Sequence, residues 1–193
     1  IPLTRWKPVF SKMLYPVKLT DEDNDGKGFR VTDGYMTVRE NPLGSGGATP
    51  HYAMDIINVS NISYVDHAGK IIRQGNPPGN VVSVYPGTIV DKGMDDRYGN
   101  FITLEHEIFE ELLEIHPDAT AWATFYAHME SETHLSIDTF VSENYELGKI
   151  GNTGFSTGPH LHFEVRVYEK SGIFKDSNGN YNKVDPFPVQ TQL

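Results

Sequence analysis

The chain contains no cysteine, which excludes disulfide staples, thiolate metal sites and a cysteine nucleophile. That absence fits an oxidising compartment in which stray thiols are avoided, and it fits many reducing ones as well. No apolar run approaches the roughly 18 residues that would cross a bilayer as a helix, so no membrane-spanning segment is expected. Cations are in short supply: 16 Lys and Arg stand against 26 Asp and Glu, a formal charge of −10. A general nucleic-acid binder needs a basic footprint, and this balance argues against one. The opening residues Ile1-Pro2-Leu3 carry neither an initiator methionine nor a basic-then-apolar leader, so a processed or trimmed chain is expected. There is also no internal repeat and no low-complexity segment.

What is present suits a globular core. At 193 residues, with 38% hydrophobic and 22% charged residues, a single monomeric domain is expected. Many short alternating stretches separated by turns predict a mainly β, compact antiparallel sheet with a short helical insert and long loops. Residues 1–28 form an N-terminal extension on a domain running from 29 to 193, and Pro2, Pro8 and Pro16 favour an irregular clamp over a helix. The acidic stretch Asp21-Glu22-Asp23-Asn24-Asp25-Gly26 is spaced like the start of a calcium loop. Thr32 stands where the closing carboxylate belongs, so a solvated acidic turn is the simpler expectation. Residues 29–38 read as strand, turn, strand with Asp33-Gly34 as a hairpin signal, and 81–91 as two strands of a meander about Tyr85-Pro86-Gly87-Thr88. A hairpin is expected at 66–70 and a hairpin or loop at 171–182. Extended segments are read at 51–59, 101–105, 122–128 and 147–151. Ile108, Phe109, Leu112, Leu113 and Ile115 fall at helical spacing before Pro117, a core-packing stripe on a short helix.

Eight histidines carry the question of chemistry. His67, His116 and His134 lie in polar turns and loops and read as surface residues, and His106 ends a strand and reads as structural. His160-Leu161-His162 is different. It follows the Gly/Ser/Thr-rich loop 151–158 and Pro159, where the chain becomes extended, so both imidazoles present to one face. His51 and Asp55 also share a face if their segment is extended. A histidine nitrogen and a carboxylate oxygen, joined by one imidazole of the pair, make three ligands with an open position, the composition of a catalytic zinc site. Other first-row metals suit the same donors.

Three stretches, His51-Tyr52-Ala53-Met54-Asp55, Tyr126-Ala127-His128-Met129 and Gly154-Phe155-Ser156-Thr157-Gly158-Pro159-His160-Leu161-His162-Phe163-Glu164, resemble in order the motifs of the lysostaphin/LytM-type zinc metallopeptidases. The turns at Gly87 and Gly99 fall where that family's sheet turns. The resemblance implies a substrate groove over an antiparallel sheet and zinc-dependent endopeptidase activity on peptidoglycan peptides. It implies one zinc per chain held by His51, Asp55 and His162, with His128 and His160 flanking the attacking water. It also implies a place in the cell envelope, periplasmic or secreted. Glu164 shares the face of the two histidines, where orienting one of them and forming a rim salt bridge are both open readings. The family's Ser-Pro-Phe-Gly-like turn is replaced here by Thr32-Asp33-Gly34-Tyr35. The passages 58–80 and 105–120 exceed the family core and are expected to form groove walls. The competing readings are a catalytically inactive binding or regulatory module on the same fold and a zinc carboxypeptidase. Inactive members generally lose ligands, and here all five polar residues are present.

Overall fold

Alternating apolar residues turn most of this chain into strands, because a period of two buries one face of a sheet. The computed structural model describes residues 2–19, 28–39, 49–58 and 79–190. The acidic turn at 21–26 and residues 59–78, most of the passage expected to wall a groove, with the hairpin at 66–70 and His67, lie outside the described residues. After a single 3-10 turn at Leu3–Arg5 come β1 (Trp6–Lys7), β2 (Phe29–Asp33), β3 (Thr37–Arg39), β4 (Thr49–His51) and β5 (Met54–Asn58). Then follow β6 (Asn80–Val82), β7 (Gly87–Asp95), β8 (Gly99–His106), the helix α1 (Glu110–Ile115) and β9 (Ala119–Met129). The chain closes with β10 (Phe140–Val141), β11 (Glu146–Lys149), β12 (Leu161–Glu169), β13 (Phe174–Asp176), β14 (Gly179–Val184) and β15 (Val189–Gln190).

The main sheet is antiparallel, in the order β10-β7-β8-β9-β12-β14-β13. Opposite β9, β12 pairs first with β5, through Leu161 to Phe163, and then with β14, through Val165 to Tyr168. β2 pairs with the outer edge of β5. On β12, Leu161, Phe163, Val165 and Val167 are each 0% exposed and face the core with Trp122 and Tyr126. Its other face carries His162, Glu164, Arg166 and Tyr168, beside Phe125 and Ala127 of β9.

The N-terminal residues behave as a clamp on the core face. Leu3, Phe10, Met13 and Val17 are buried, and the Phe10 ring meets Trp122 and Phe109 edge-on at 5.2 Å each. β1 pairs with β15, tying the two ends of the described chain together. The passage 105–120 packs here too. Phe109 lies against Trp122, and the Glu111 carboxylate accepts from the Ser11 hydroxyl and backbone N–H, so this insert covers the core face rather than walling a groove. Of the helical stripe, Leu112 is buried and Phe109 packs on the core, while Ile108, Leu113 and Ile115 stay exposed, because α1 has only six residues.

Two pairing expectations fail. Asp33-Gly34 closes no hairpin: β2 leaves to pair with β5, and β3 pairs with β4. Residues 81–91 form no meander either, since β6 pairs with β11 in a separate two-stranded sheet. The turn between β6 and β7 is an offset fixed by side chains. The His106 Nδ1–H donates to the Pro86 carbonyl at 2.9 Å, and a Cβ on Gly87 would collide with that imidazole and with the Glu105 carbonyl. The hairpin expected at 171–182 is present as β13–β14.

Candidate metal centre

Cross-strand register builds the centre. Asp55 on β5 stands directly opposite His162 on β12, so their side chains share a face as neighbours. His51 arrives by another route. It ends β4, the chain breaks at Tyr52-Ala53, and β5 begins at Met54, so the two residues do not lie on one continuous extended face. Their meeting is a product of the bend and of the β3–β4 pair, in which Thr37 opposes His51.

Three ligand atoms converge: His51 Nε2, Asp55 Oδ1 and His162 Nδ1. The two nitrogens are 3.3 Å apart, and each is 3.2 Å from the carboxylate oxygen. Hydrogen bonds behind the rings set the tautomers. His162 Nε2 lies 2.9 Å from Glu164 Oε1 and His51 Nδ1 lies 3.3 Å from the Gly34 carbonyl; both partners accept, so both nitrogens carry protons. The atoms left facing one another are then all electron-pair donors, an arrangement suited to a cation among them. A tetrahedral ion with bonds of about 2.0–2.1 Å sets its ligand atoms about 3.3 Å apart, which these separations match. Without a metal a proton does that work. Burial would lower the His162 pKa, but hydrogen bonds to Asp55 and Glu164 outweigh it and raise the imidazole above its ordinary value. Burial likewise works against the charged Asp55, and the imidazoles of His162 and His51 packed against it outweigh burial, holding the carboxyl well below its usual range.

Behind His162 lies a charged network that the sequence reading left undivided from a rim contact. Glu164 is 0% exposed, so it is no rim residue. Besides its bond to His162 it accepts from Arg166 Nε at 2.8 Å and Lys183 Nζ at 2.7 Å. Burial favours the neutral acid, but these partners keep the Glu164 pKa well below the carboxylate range. Arg166 reaches on to Asp176 at 3.3 Å and lies over the Phe125 ring at 4.0 Å. Tyr35, placed where the family turn differs, donates its hydroxyl to the Lys183 carbonyl at 2.6 Å. The signal for Glu164 and Arg166 was their even spacing from His162. Lys183 had no signal, since only the β12–β14 register brings it in.

His128 and His160 stand beside the triad, their ring centroids 4.6 Å apart. His128 Nδ1 donates to the Thr153 carbonyl at 2.7 Å and His160 Nδ1 to the Gly158 carbonyl at 2.8 Å, so each ring turns its Nε2 away from the backbone. His160 Nε2 lies 3.5 Å from Asp55 Oδ2. Burial, with the charge of His160 adding to it, pushes the His128 imidazole down to about 4. His128 has φ +60°, a left-handed conformation costing on the order of 1 kcal/mol or more in a non-glycine residue. Its N–H bond to the Tyr98 carbonyl and the Gly151 N–H on its own carbonyl hold it there. Thr153 is fixed in turn by a close approach. Gly99, at φ +61°, has no side chain where one would collide with Thr153, and the Thr153 hydroxyl accepts from the Asn100 N–H at 2.9 Å.

The other histidines lie away from this centre. His106 is buried, with Nε2 2.8 Å from the Thr124 hydroxyl, and is structural. His134 is exposed. His116, expected at the surface, is half-buried because its Nδ1 pairs with Glu169 at 2.8 Å. Among the described residues no helix is long and apolar enough to cross a membrane.

Comparison with known proteins places the chain in a family. The model of Peptidase family M23 matches residues 65–186, which include His128, His160 and His162; His51 and Asp55 precede the match. An uncharacterized metalloprotease of Buchnera aphidicola is 26% identical over 144 residues, covering 75% of this chain and 30% of that protein. The DD-carboxypeptidase/endopeptidase Mpg of Neisseria meningitidis is 33% identical over 103 residues, covering 53% of this chain and 19% of Mpg. The chain therefore spans less than a third of the length of these relatives. Among solved structures, a zinc containing peptidase from Vibrio cholerae superposes with TM-score 0.58 at 21% identity, covering 97% of this chain and 41% of that one. The catalytic domain of lysostaphin from Staphylococcus simulans gives TM-score 0.53 at 21% identity, covering 88% of this chain and 96% of that domain. At these identities the structures speak for the fold.

Proposed function

Since the chain belongs to peptidase family M23, we propose that it is a zinc-dependent metalloendopeptidase cutting peptide bonds in peptidoglycan stem peptides or cross-bridges. The observation that carries this reading is the convergence of His51 Nε2, Asp55 Oδ1 and His162 Nδ1 within 3.2–3.3 Å, with two more imidazoles beside them. His51, Asp55 and His162 hold one zinc ion. Zinc bound there supplies Lewis acidity, which polarises the scissile carbonyl and makes a water acidic enough to attack near neutral pH. The chain's own groups handle the protons. His128 and His160, each with Nδ1–H tied to a backbone carbonyl, present Nε2 to the reacting atoms. A neutral Nε2 takes a proton from the attacking water, and a protonated one hydrogen-bonds the developing oxyanion or delivers its proton to the leaving amine. Glu164 fixes the His162 ring so that Nδ1 faces Asp55 and His51. An enzyme with this substrate works in the periplasm or outside the cell.

The test is a pair of substitutions read for zinc and turnover together. His162→Ala is expected to lose both, whereas His160→Ala keeps stoichiometric zinc and loses turnover. Full activity in His162→Ala, or equal zinc retention by the two variants, would overturn this division of the pair.

A further inference from the structure

Three cationic side chains gather on the site face of a chain whose formal charge is −10. Two of them, Arg166 and Lys183, are bound to Glu164. The third, Arg97, is exposed, and among the described residues no carboxylate pairs with its guanidinium. Its place is nevertheless fixed. It sits in the turn between β7 and β8, where Asp95 Oδ1 accepts its backbone N–H at 2.8 Å and that of Tyr98. Asp95 Oδ1 is thus committed to the turn. The Arg97 carbonyl accepts the Phe155 N–H at 3.0 Å, locking the turn to the loop that delivers His160. The guanidinium lies 5.0 Å from the centroid of the Tyr98 ring, and that ring lies 5.7 Å from the His162 ring. The positive charge also reaches inward. Burial is the main reason that the Lys183 pKa falls below its ordinary value, and the charges of Arg166 and Arg97 add to it. Phe155, 56% exposed, stands next to this turn as an apolar neighbour.

We propose that Arg97 is a substrate-carboxylate site, binding a free carboxylate within about three residues of the bond cut, at about 3.3 Å per extended residue. An unpaired guanidinium held over an aromatic ring offers a fork of donors matched to a carboxylate. The preferred substrate class is accordingly an acidic stem peptide, and amidation of its carboxylates weakens recognition. This rests on the peptidase reading above and adds the chemical character of the peptide taken.

The test uses two wall stem peptides identical except that the carboxylates are free in one and amidated in the other. Cleavage of each is followed by mass spectrometry, and binding of each by fluorescence anisotropy, with zinc-loaded wild type, Arg97→Ala and Arg97→Lys. Wild type is expected to favour the free acid by roughly twofold to fivefold in kcat/KM, the scale of an exposed charged contact. Arg97→Ala should remove that preference while leaving zinc content and the rate on the amidated peptide unchanged, and Arg97→Lys should restore part of it. Equal losses on both peptides, or a wild type that cuts both equally well, would overturn the carboxylate site and leave the peptidase reading standing. A wild type that cuts neither peptide but binds the free acid in an Arg97-dependent way would overturn the peptidase reading and keep the site. Neither cleavage nor selective binding would overturn both.

Discussion

Replacing Glu164 by glutamine keeps the shape of the side chain and removes its charge. Glu164 is 0% exposed and touches three charged or chargeable partners: His162 at 2.9 Å, Arg166 at 2.8 Å and Lys183 at 2.7 Å. In the variant two cations are left against a neutral amide, and breaking a buried ionic network in this way costs about 3–5 kcal/mol. For a chain of this size 1 kcal/mol is worth about 2–4 °C, so the apo protein should melt roughly 6–20 °C lower. The separate consequence falls on the metal. An amide orients His162 less firmly than a carboxylate, and losing such a partner typically costs about 10–100-fold in metal affinity. Melting of the metal-free protein measures the first effect, and competition for zinc against a chromophoric chelator measures the second. The double variant Glu164→Gln/Lys183→Met removes one stranded cation and should recover part of the lost melting temperature. A zinc affinity within twofold of wild type, alongside a lowered melting temperature, would refute the reasoning: the network would then support the sheet and not the metal ligand.

Three further outcomes follow from the same geometry. Gly99→Ala places a Cβ against Thr153 at φ +61°, so a loss of about 2–4 kcal/mol is expected in thermal melts, with reduced turnover because the Thr153 carbonyl holds His128. Burial pushes the His106 pKa down to about 4, so the unfolded chain, with its ordinary value near 6.5, binds that proton more readily. The stability it contributes is complete above about pH 6.5 and is lost as pH falls toward 4, about 3 kcal/mol in all. The pH dependence of stability across that window should therefore be shallower in His106→Gln than in wild type. Stripping metal with a chelator should lower the melting temperature and restored zinc should raise it, since zinc at about 100 times its Kd adds about 2.7 kcal/mol through binding to the folded state alone.

Elements carried by local pattern were legible before the fold. Phe101 to Glu105, Trp122 to His128 and the tail hairpin are strands because period-two alternation is written in adjacent residues. Partnership was not legible. Asp33-Gly34 is a sound turn signal, yet β2 finds a better partner in β5, whose Ile56 is buried in the core. The candidate metal residues could be named from motifs in the sequence, although the reason offered for His51 and Asp55, one extended face, is not how they meet. They meet because a bend between β4 and β5 brings His51 to a carboxylate set by the register with β12. Arg97 and Lys183 were out of reach for a similar reason: a lone cation in a turn or a tail has no pattern until the sheet order places it.

The most direct measurement is digestion of purified peptidoglycan by the zinc-loaded protein, with the newly exposed amines identified by mass spectrometry. New amines within stem peptides or cross-bridges are the predicted result, abolished in His162→Ala and by chelation, and restored to wild type by zinc. Release of single C-terminal residues alone would turn the activity to that of a carboxypeptidase. No new amines, or the same amines from His162→Ala, would contradict hydrolysis at the centre formed by His51, Asp55 and His162.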